Sequence, residues 1–326
     1  MPDTPLIGPL MIDVGGLELT PEDRELLAHP LVGGVILFTR NYRDPEQLKR
    51  LCDDIHGIKS PRLLVAVDHE GGRIQRFRVG FSRLPAMRSL GQRYQESAPM
   101  ALDEARTVGR TIGDELAAFG IDLPFAPVLD IDHGVSGVIG DRAFADDRDT
   151  LVALARAFRS GLNAAGLAAT GKHYPGHGAV TADSHHELPV DRRSLAEIER
   201  TELMPFRALI EDGIESLMTA HVRYTAVDPT PASLSRRWIK DILRKQLGFQ
   251  GVVFSDDLSM GGAAAIGDME TRARMALDAG SDMLLVCNDR AATLGLVDAL
   301  RNVRPRPTAS VRLQTLYRRP AQGSSS

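Results

Sequence analysis

The chain has 326 residues, 43% of them hydrophobic and 25% charged, with a formal net charge of −4 at pH 7, the balance of a globular enzyme with ample core. Acids and bases are interspersed with no basic stripe, which argues against nucleic acid as the main partner. No run approaches the roughly 18 apolar residues that span a bilayer, and two distant cysteines, Cys52 and Cys287, imply no disulfide framework.

Read from the N-terminus, MPDTPLIGPLMIDV lacks a basic n-region and a long apolar h-region, so no signal peptide is expected and the cytoplasm is the default location. Short apolar runs bounded by turn signals then recur along the chain. The predicted strands are Leu6 to Val14, Gly34 to Phe38, Leu63 to Val67, Ile121 to Leu129, Leu167 to Thr170, Ser216 to Ala220, Gly251 to Phe254 and Asp282 to Val286. Helical patterns occupy Pro45 to Ile58, Ala101 to Phe119, Thr150 to Ala165, Leu195 to Glu211, Arg237 to Leu247, Glu270 to Ala279 and Ala291 to Asn302. Several strand runs are continuous rather than alternating, as in strands buried on both faces, which implies parallel pairing through helical crossovers.

Eight such units suit a closed (β/α)8 TIM barrel, with an open doubly wound sheet as the competitor. The strand ends favour the barrel. They run into Asp13, Thr39-Arg40, Asp68-His69-Glu70, Asp130 with Asp132, Lys172-His173, His221, Ser255-Asp256-Asp257 and Asn288. A barrel gathers such groups at one mouth, whereas an open sheet strings them along an edge. The expectation is one catalytic barrel over residues 1–303 and a C-terminal extension over 304–326, whose end, GSSS, is expected to be disordered. The long interval after the third strand, with Gly71-Gly72 and Arg73, Arg76, Arg78 and Arg83, reads as an elaborated βα loop.

Four of the nine histidines (His173, His177, His185 and His186) fall in one stretch, GKHYPGHGAVTADSHHE, from Gly171 to Glu187. Imidazoles titrate near neutral pH and glycines let backbone turn sharply, so this stretch reads as a mobile catalytic loop. Within it, Asp183 stands two residues before His185. An aspartate bonded to one ring nitrogen raises the basicity of the other, an acid/base pair; the plain alternative is a solvated polar turn. Asp256, at the seventh strand end, suits a covalent nucleophile or a metal ligand. A helix cap is the structural alternative, which fits Asp257 better. Lys172 and His173 are candidates to bond substrate hydroxyls, a surface lysine beside a packed histidine being the plain alternative; Asp68 could accept from two sugar hydroxyls, and Arg142 could reach the mouth or make a loop ion pair. No glycine cluster forms a phosphate loop or a dinucleotide fingerprint.

Taken in order, LVGGVILFTRNY, AVDHEGGRIQR, FAPVLDID, GDRAF, GKHYPGHGAVTADSHHELP and GVVFSDDLSM resemble glycoside hydrolase family 3, and within it the single-domain bacterial β-N-acetylhexosaminidases of peptidoglycan recycling. The likeness runs from about Leu6 to Asn288, and DSH after KHxxGHG is its most specific part. It implies Asp256 as nucleophile, His185 as general acid/base with Asp183 as partner, and a sugar pocket lined by Asp68, Arg76, Arg142, Lys172 and His173. The implied activity is a retaining, two-step release of terminal GlcNAc from GlcNAc-β-1,4-anhydroMurNAc, with or without its peptide, in cell-wall recycling tied to cell shape and division. A monomer acting on a small-molecule sugar is expected, with no cofactor, metal, nucleic acid or membrane.

Three rivals stay open. Phosphate could replace water as acceptor, making the enzyme a phosphorylase. His173, His177, His185 and Asp256 could bind a metal in a hydrolytic barrel. A sugar-binding sensor would bind GlcNAc without turnover.

Overall fold

The computed structural model describes residues 5–184 and 187–318. Eight of the short strands among these residues belong to one ring, in chain order β1 (Leu10–Ile12), β2 (Val32–Leu37), β3 (Leu64–Val67), β4 (Leu123–Pro124), β5 (Thr170–Tyr174), β6 (Ser216–Thr219), β7 (Val252–Ser255) and β8 (Leu284–Val286). All pair in parallel, as one run β8-β1-β2-β3-β4 and another β5-β6-β7. Parallel bridges between Val128 and Lys172 and between Phe254 and Met283 join the two runs and close the ring. Main-chain bonds reinforce both seams, Leu129 N to Lys172 O at 2.6 Å and Ser255 N to Met283 O at 3.0 Å. A closed ring of parallel strands with intervening helices is a (β/α)8 barrel, not the open sheet.

Successive side chains on a strand point to opposite faces, so each strand contributes to two cores. Met11, Ile36, Leu64, Ala66, Met218, Phe254 and Leu285 pack together inside the barrel. Leu10, Ile12, Val35, Leu37, Val65, Val67 and Val253 belong to the larger core under the helices. Burial on both faces explains why these runs read as continuous in the sequence.

Most helices lie within a few residues of expectation: Pro45–His56, Ala98–Ala118, Arg148–Ala164, Met269–Ala279 and Arg290–Ala299, with a π-helical stretch at Arg237–Gln246. Four others were not anticipated, Pro21–Ala28, Met87–Glu96, Gly261–Ala264 and Pro307–Gln314. The first starts at a capping box in which Thr20 and Asp23 bond reciprocally, a signal present in the sequence.

Three expectations need correction. The single helix from Leu195 to Glu211 is two helices, Leu195–Arg200 and Leu203–Glu211. Pro205 has no N–H to offer the carbonyl four residues back, so the chain breaks at Thr201-Glu202. The fourth strand shrinks from Ile121–Leu129 to Leu123–Pro124, because Pro124 and Pro127 cannot donate to a ladder. The Gly171–Glu187 stretch is not all loop: β5 runs through Lys172 and His173, and 171–178 are buried.

Beyond residue 303 the helix Pro307–Gln314 seats Leu313, with Leu316, against the inner core. Tyr317 Oη donates to Arg62 O at 2.6 Å, and Arg312 holds the buried Asp282 at 2.7 Å. Asp282 precedes β8, so this helix covers the end of the barrel away from the polar strand ends. Among the described residues no helix is long and apolar enough to cross a membrane.

Candidate active site

The carboxyl ends of the strands surround a cavity of about 300 Å³ whose lining includes Ile36, Met218 and Leu285, residues that also belong to the inner core. The cavity therefore sits on top of the packed barrel. Polar groups from β5 and from the chain after β3, β4, β5, β7 and β8 form its walls.

After β3 the chain folds into a small hairpin, His69–Gly71 against Ile74–Gln75. Its turn needs Gly71 at φ +99°, where an added Cβ would lie 2.5 Å from Pro85 O. This reversal brings Asp68, Glu70 and Arg76 to the same cavity. Lys172 Nζ lies 2.8 Å from Asp68 Oδ1 and 2.6 Å from Glu70 Oε1. Arg142 holds Glu70 in a bidentate pair at 2.7 and 2.8 Å, and Arg76 reaches Asp68 Oδ2 at 3.3 Å. Lys172 and Glu70 are each only 2% exposed. Burial pushes both carboxyl groups up, but the surrounding cations prevail, chiefly Lys172 for Asp68 and Arg142 for Glu70. Asp68 ends well below the ordinary carboxylate range and Glu70 at about 2. Both are charged at neutral pH, in a rigid cluster with fixed donors and acceptors.

Strand β5 supplies two consecutive residues to the cavity, Lys172 and His173. Regular alternation would turn one of them away. A register shift between Lys172 and Tyr174 against β6 sets two residues opposite one, and such a bulge re-aims side chains. Asp130, fully buried after β4, accepts from His173 Nδ1 at 2.7 Å and from His177 N at 2.7 Å. Burial pushes Asp130 up while His173 and His177 draw it down, and the net direction is down. With Nδ1 committed to this carboxylate, His173 has Nε2 as its remaining polar atom. His177 Nε2 bonds Ser184 Oγ at 3.0 Å, and Ser184 lines the cavity.

At the end of β7 two adjacent carboxylates differ sharply in their partners. Asp257 takes Ser259 N and Cys287 N on Oδ1, at 3.0 and 3.1 Å, and Ser259 Oγ on Oδ2 at 2.8 Å. Burial nevertheless raises its pKa to about 6. Asp256 accepts one main-chain bond, from Asp257 N at 2.9 Å, while its own N–H is held by Thr219 O of β6. Its carboxylate lines the cavity on a rigid strand end.

The family model for the glycosyl hydrolase family 3 N terminal domain matches residues 9–315. The chain belongs to glycosyl hydrolase family 3. It is thus a glycoside hydrolase, and its relatives narrow the comparison. A β-hexosaminidase of Thiobacillus denitrificans is 54% identical over 315 residues, covering 97% of this chain and 88% of the relative. One of Methylobacillus flagellatus is 55% identical over 282 residues, covering 86% and 81%. The crystal structure of NagZ from Neisseria gonorrhoeae in complex with N-trifluoroacetyl-D-glucosamine superposes with a TM-score of 0.90 at 45% identity, covering 96% of this chain and 91% of that one.

Of the residues that the family resemblance implied, Asp68, Arg76, Arg142, Lys172, His173 and Asp256 all line the one cavity. Asp183 is half-buried beside Ser184, outside that lining, and its carbonyl accepts from Glu187 N at 2.9 Å. His185 and His186 lie outside the described residues. Glu70 and Asp130 were passed over as site residues. Both stood in motifs already singled out, Asp68-His69-Glu70 and FAPVLDID, but what fixes their roles is burial beside a cation, which motif spacing does not show. Among the described residues, no group of three or more His, Cys, Asp or Glu side chains is arranged to hold a metal ion. In the proposed metal set, His173 and His177 each commit a ring nitrogen to Asp130 and Ser184 respectively.

Proposed function

We propose that this family 3 enzyme is a retaining β-N-acetylhexosaminidase that releases terminal GlcNAc from β-1,4-linked muropeptides, GlcNAc-anhydroMurNAc with or without its peptide, in cytoplasmic cell-wall recycling. The observation that carries the reading is the gathering of Asp256 with Asp68, Arg76, Arg142, Lys172 and His173 in one cavity at the carboxyl mouth of the barrel. A charged, preorganised wall of donors and acceptors suits a hydroxyl-rich ring. The NagZ structure in complex with N-trifluoroacetyl-D-glucosamine supports an N-acylated glucosamine as its occupant.

In the first step an Asp256 carboxylate oxygen bonds to the anomeric carbon as the bond to the leaving oxygen breaks, and His185 gives that oxygen its proton. In the second step His185 takes a proton from water, whose oxygen displaces the aspartyl ester, so the configuration is retained overall. Asp183 fixes the tautomer of His185. A histidine acid departs from the usual pair of carboxyl groups. Asp68, Arg76, Arg142, Lys172 and His173 hold the sugar.

p-Nitrophenyl β-GlcNAc should be cleaved with a kcat/KM on the order of 10²-fold or more above that of the β-glucoside, since a site built to bond an amide leaves its groups unpaired when the amide is missing. Equal rates on the two would refute the N-acetyl reading. With the muropeptide in phosphate buffer, chromatography should show free GlcNAc; GlcNAc 1-phosphate would instead establish the phosphorylase.

His185→Ala should lose roughly 10²–10⁴-fold in kcat/KM on substrates with poor leaving groups, the range of general acid help, and far less in kcat/KM on an activated aryl glycoside. The same loss on both would remove His185 as the acid.

A further inference from the structure

Glu202 sits at the break between the helices Leu195–Arg200 and Leu203–Glu211, and its side chain is 0% exposed. A buried carboxylate at a helix break must be satisfied by specific partners. His133 Nε2 donates to Oε1 at 2.5 Å, Arg193 Nη1 donates to Oε2 at 2.8 Å, and Thr201 Oγ1 also donates to Oε2. Burial pushes this carboxyl up, but the bonds from His133, Thr201 and Arg193 bring it down to about 2.

Thr201 is the preceding residue, whereas His133 and Arg193 come from other loops. His133 follows β4, close to the Asp130 that holds His173 and His177. Arg193 lies just past the stretch that carries the histidines, and it grips the buried Asp191 at 2.6 Å. That stretch also packs against the methylene stem that carries the Glu202 carboxylate. Gly176, at φ +139°, packs directly on Glu202, and a Cβ there would stand 2.5 Å from Glu202 Cγ and 2.6 Å from its Cβ. Gly176 O also accepts from the buried Tyr224 hydroxyl, and Tyr224 pairs in parallel with Asp191. One side chain thus meets both ends of the 176–193 segment, which holds Asp183.

We propose that Glu202 is a positioning residue for the hydrolysis: it clamps the entry and exit of the chain on either side of Asp183 and so sets where this partner of the proposed acid stands. This rests on the assignment of Asp183 and His185 as the acid/base pair. A chain whose two ends are pinned to one buried anchor has fewer conformations to sample than one pinned at a single end. Geometry within a fraction of an ångström governs proton transfer. Asp256, just past β7, is anchored independently of this clamp by its N–H bond to Thr219 O.

Glu202→Gln keeps the shape against Gly176 and removes the charge, and Arg193→Met removes the exit contact at a side chain that is 28% exposed. Both variants should lose about tenfold or more in kcat/KM, which reports ester formation, on a GlcNAc disaccharide, part of the general acid contribution. Both should keep kcat/KM within about threefold of wild type on a dinitrophenyl glycoside, whose leaving group needs no proton. Melting temperatures recorded alongside identify a variant that merely unfolds. Equal losses across leaving groups, or no loss in either folded variant, would overturn the proposal. The His185→Ala profile separates the two layers. If His185→Ala shows leaving-group dependence and the Glu202→Gln and Arg193→Met variants do not, this inference alone falls. If His185→Ala shows none, the acid assignment falls with it.

Discussion

Asp256→Ala should lower turnover of p-nitrophenyl β-GlcNAc by on the order of 10⁴-fold or more, with a melting temperature close to that of wild type. Both halves of this expectation come from what the carboxylate touches. Among the described residues it accepts a single main-chain hydrogen bond, from Asp257 N, so its loss leaves few partners unsatisfied. Its neighbour is the opposite case. Asp257 spends both oxygens on Ser259 and Cys287, and burial holds its pKa near 6, so it serves the loop better than it serves as a nucleophile. Two measurements check the assignment. A fluorinated GlcNAc fluoride loses fluoride as the aspartyl ester forms, and its slow hydrolysis lets mass spectrometry find the labelled peptide; a label on Asp257 would overturn the reading. Azide added to Asp256→Ala with an activated donor should restore turnover, forming a C1–N bond from the face the carboxylate has left as the aryl oxide departs. The product should be the α-glycosyl azide. A β-azide, or no rescue with a label elsewhere, would count against a nucleophile at 256.

How far the sequence reaches can be judged residue by residue. The barrel was legible because its strands are buried twice over: Val35-Ile36-Leu37 serves the helix-side core and the inner core in alternation, and no polar position interrupts it. The polar strand ends were legible for a complementary reason, since a carboxylate or lysine has no place inside that packing. What the pattern hides is local. Pro205 breaks a helix whose amphipathic period continues on both sides, and Pro124 and Pro127 leave β4 two residues long where composition suggests nine. Lys172 and His173 were read at a strand–loop junction, whereas a bulge turns both into the cavity; hydropathy carries no signal for a bulge. Glu70, Asp130 and Glu202 share one property that spacing cannot express. Each is a carboxylate almost wholly removed from water and held charged by cations or imidazoles brought from elsewhere in the chain. Such groups are tolerated only when fully partnered, and partners are a property of the fold.

That dependence gives Lys172→Met the largest expected effect on stability in the site. Methionine fills much of the same volume but removes the cation between Asp68 and Glu70. Breaking a buried ion pair on one side costs about 3–5 kcal/mol, because the remaining charge keeps its desolvation cost and loses its partner. Arg142 still holds Glu70 at 2.7 Å and Arg76 still reaches Asp68 at 3.3 Å, which places the expectation toward the lower end. Sugar binding should fall with it, since the two carboxylates lose the charge that fixes their orientation. The pH dependence follows from linkage. Glu70 in the folded chain titrates near 2 against an ordinary 4.5, so its contribution is complete above about 4.5 and disappears as pH falls towards 2. Without Lys172 the folded value rises towards 4.5, so Lys172→Met should lose less stability than wild type as pH falls below about 4.5, and the gap between the two should narrow. Denaturant unfolding at pH 7, 5 and 3.5 tests this directly. Adding Glu70→Gln should recover part of the loss at pH 7, because the orphaned charge is gone. If the double variant is as unstable as the sum of the two single ones, the charges of Lys172 and Glu70 act independently, and the cluster is not the unit that this geometry describes.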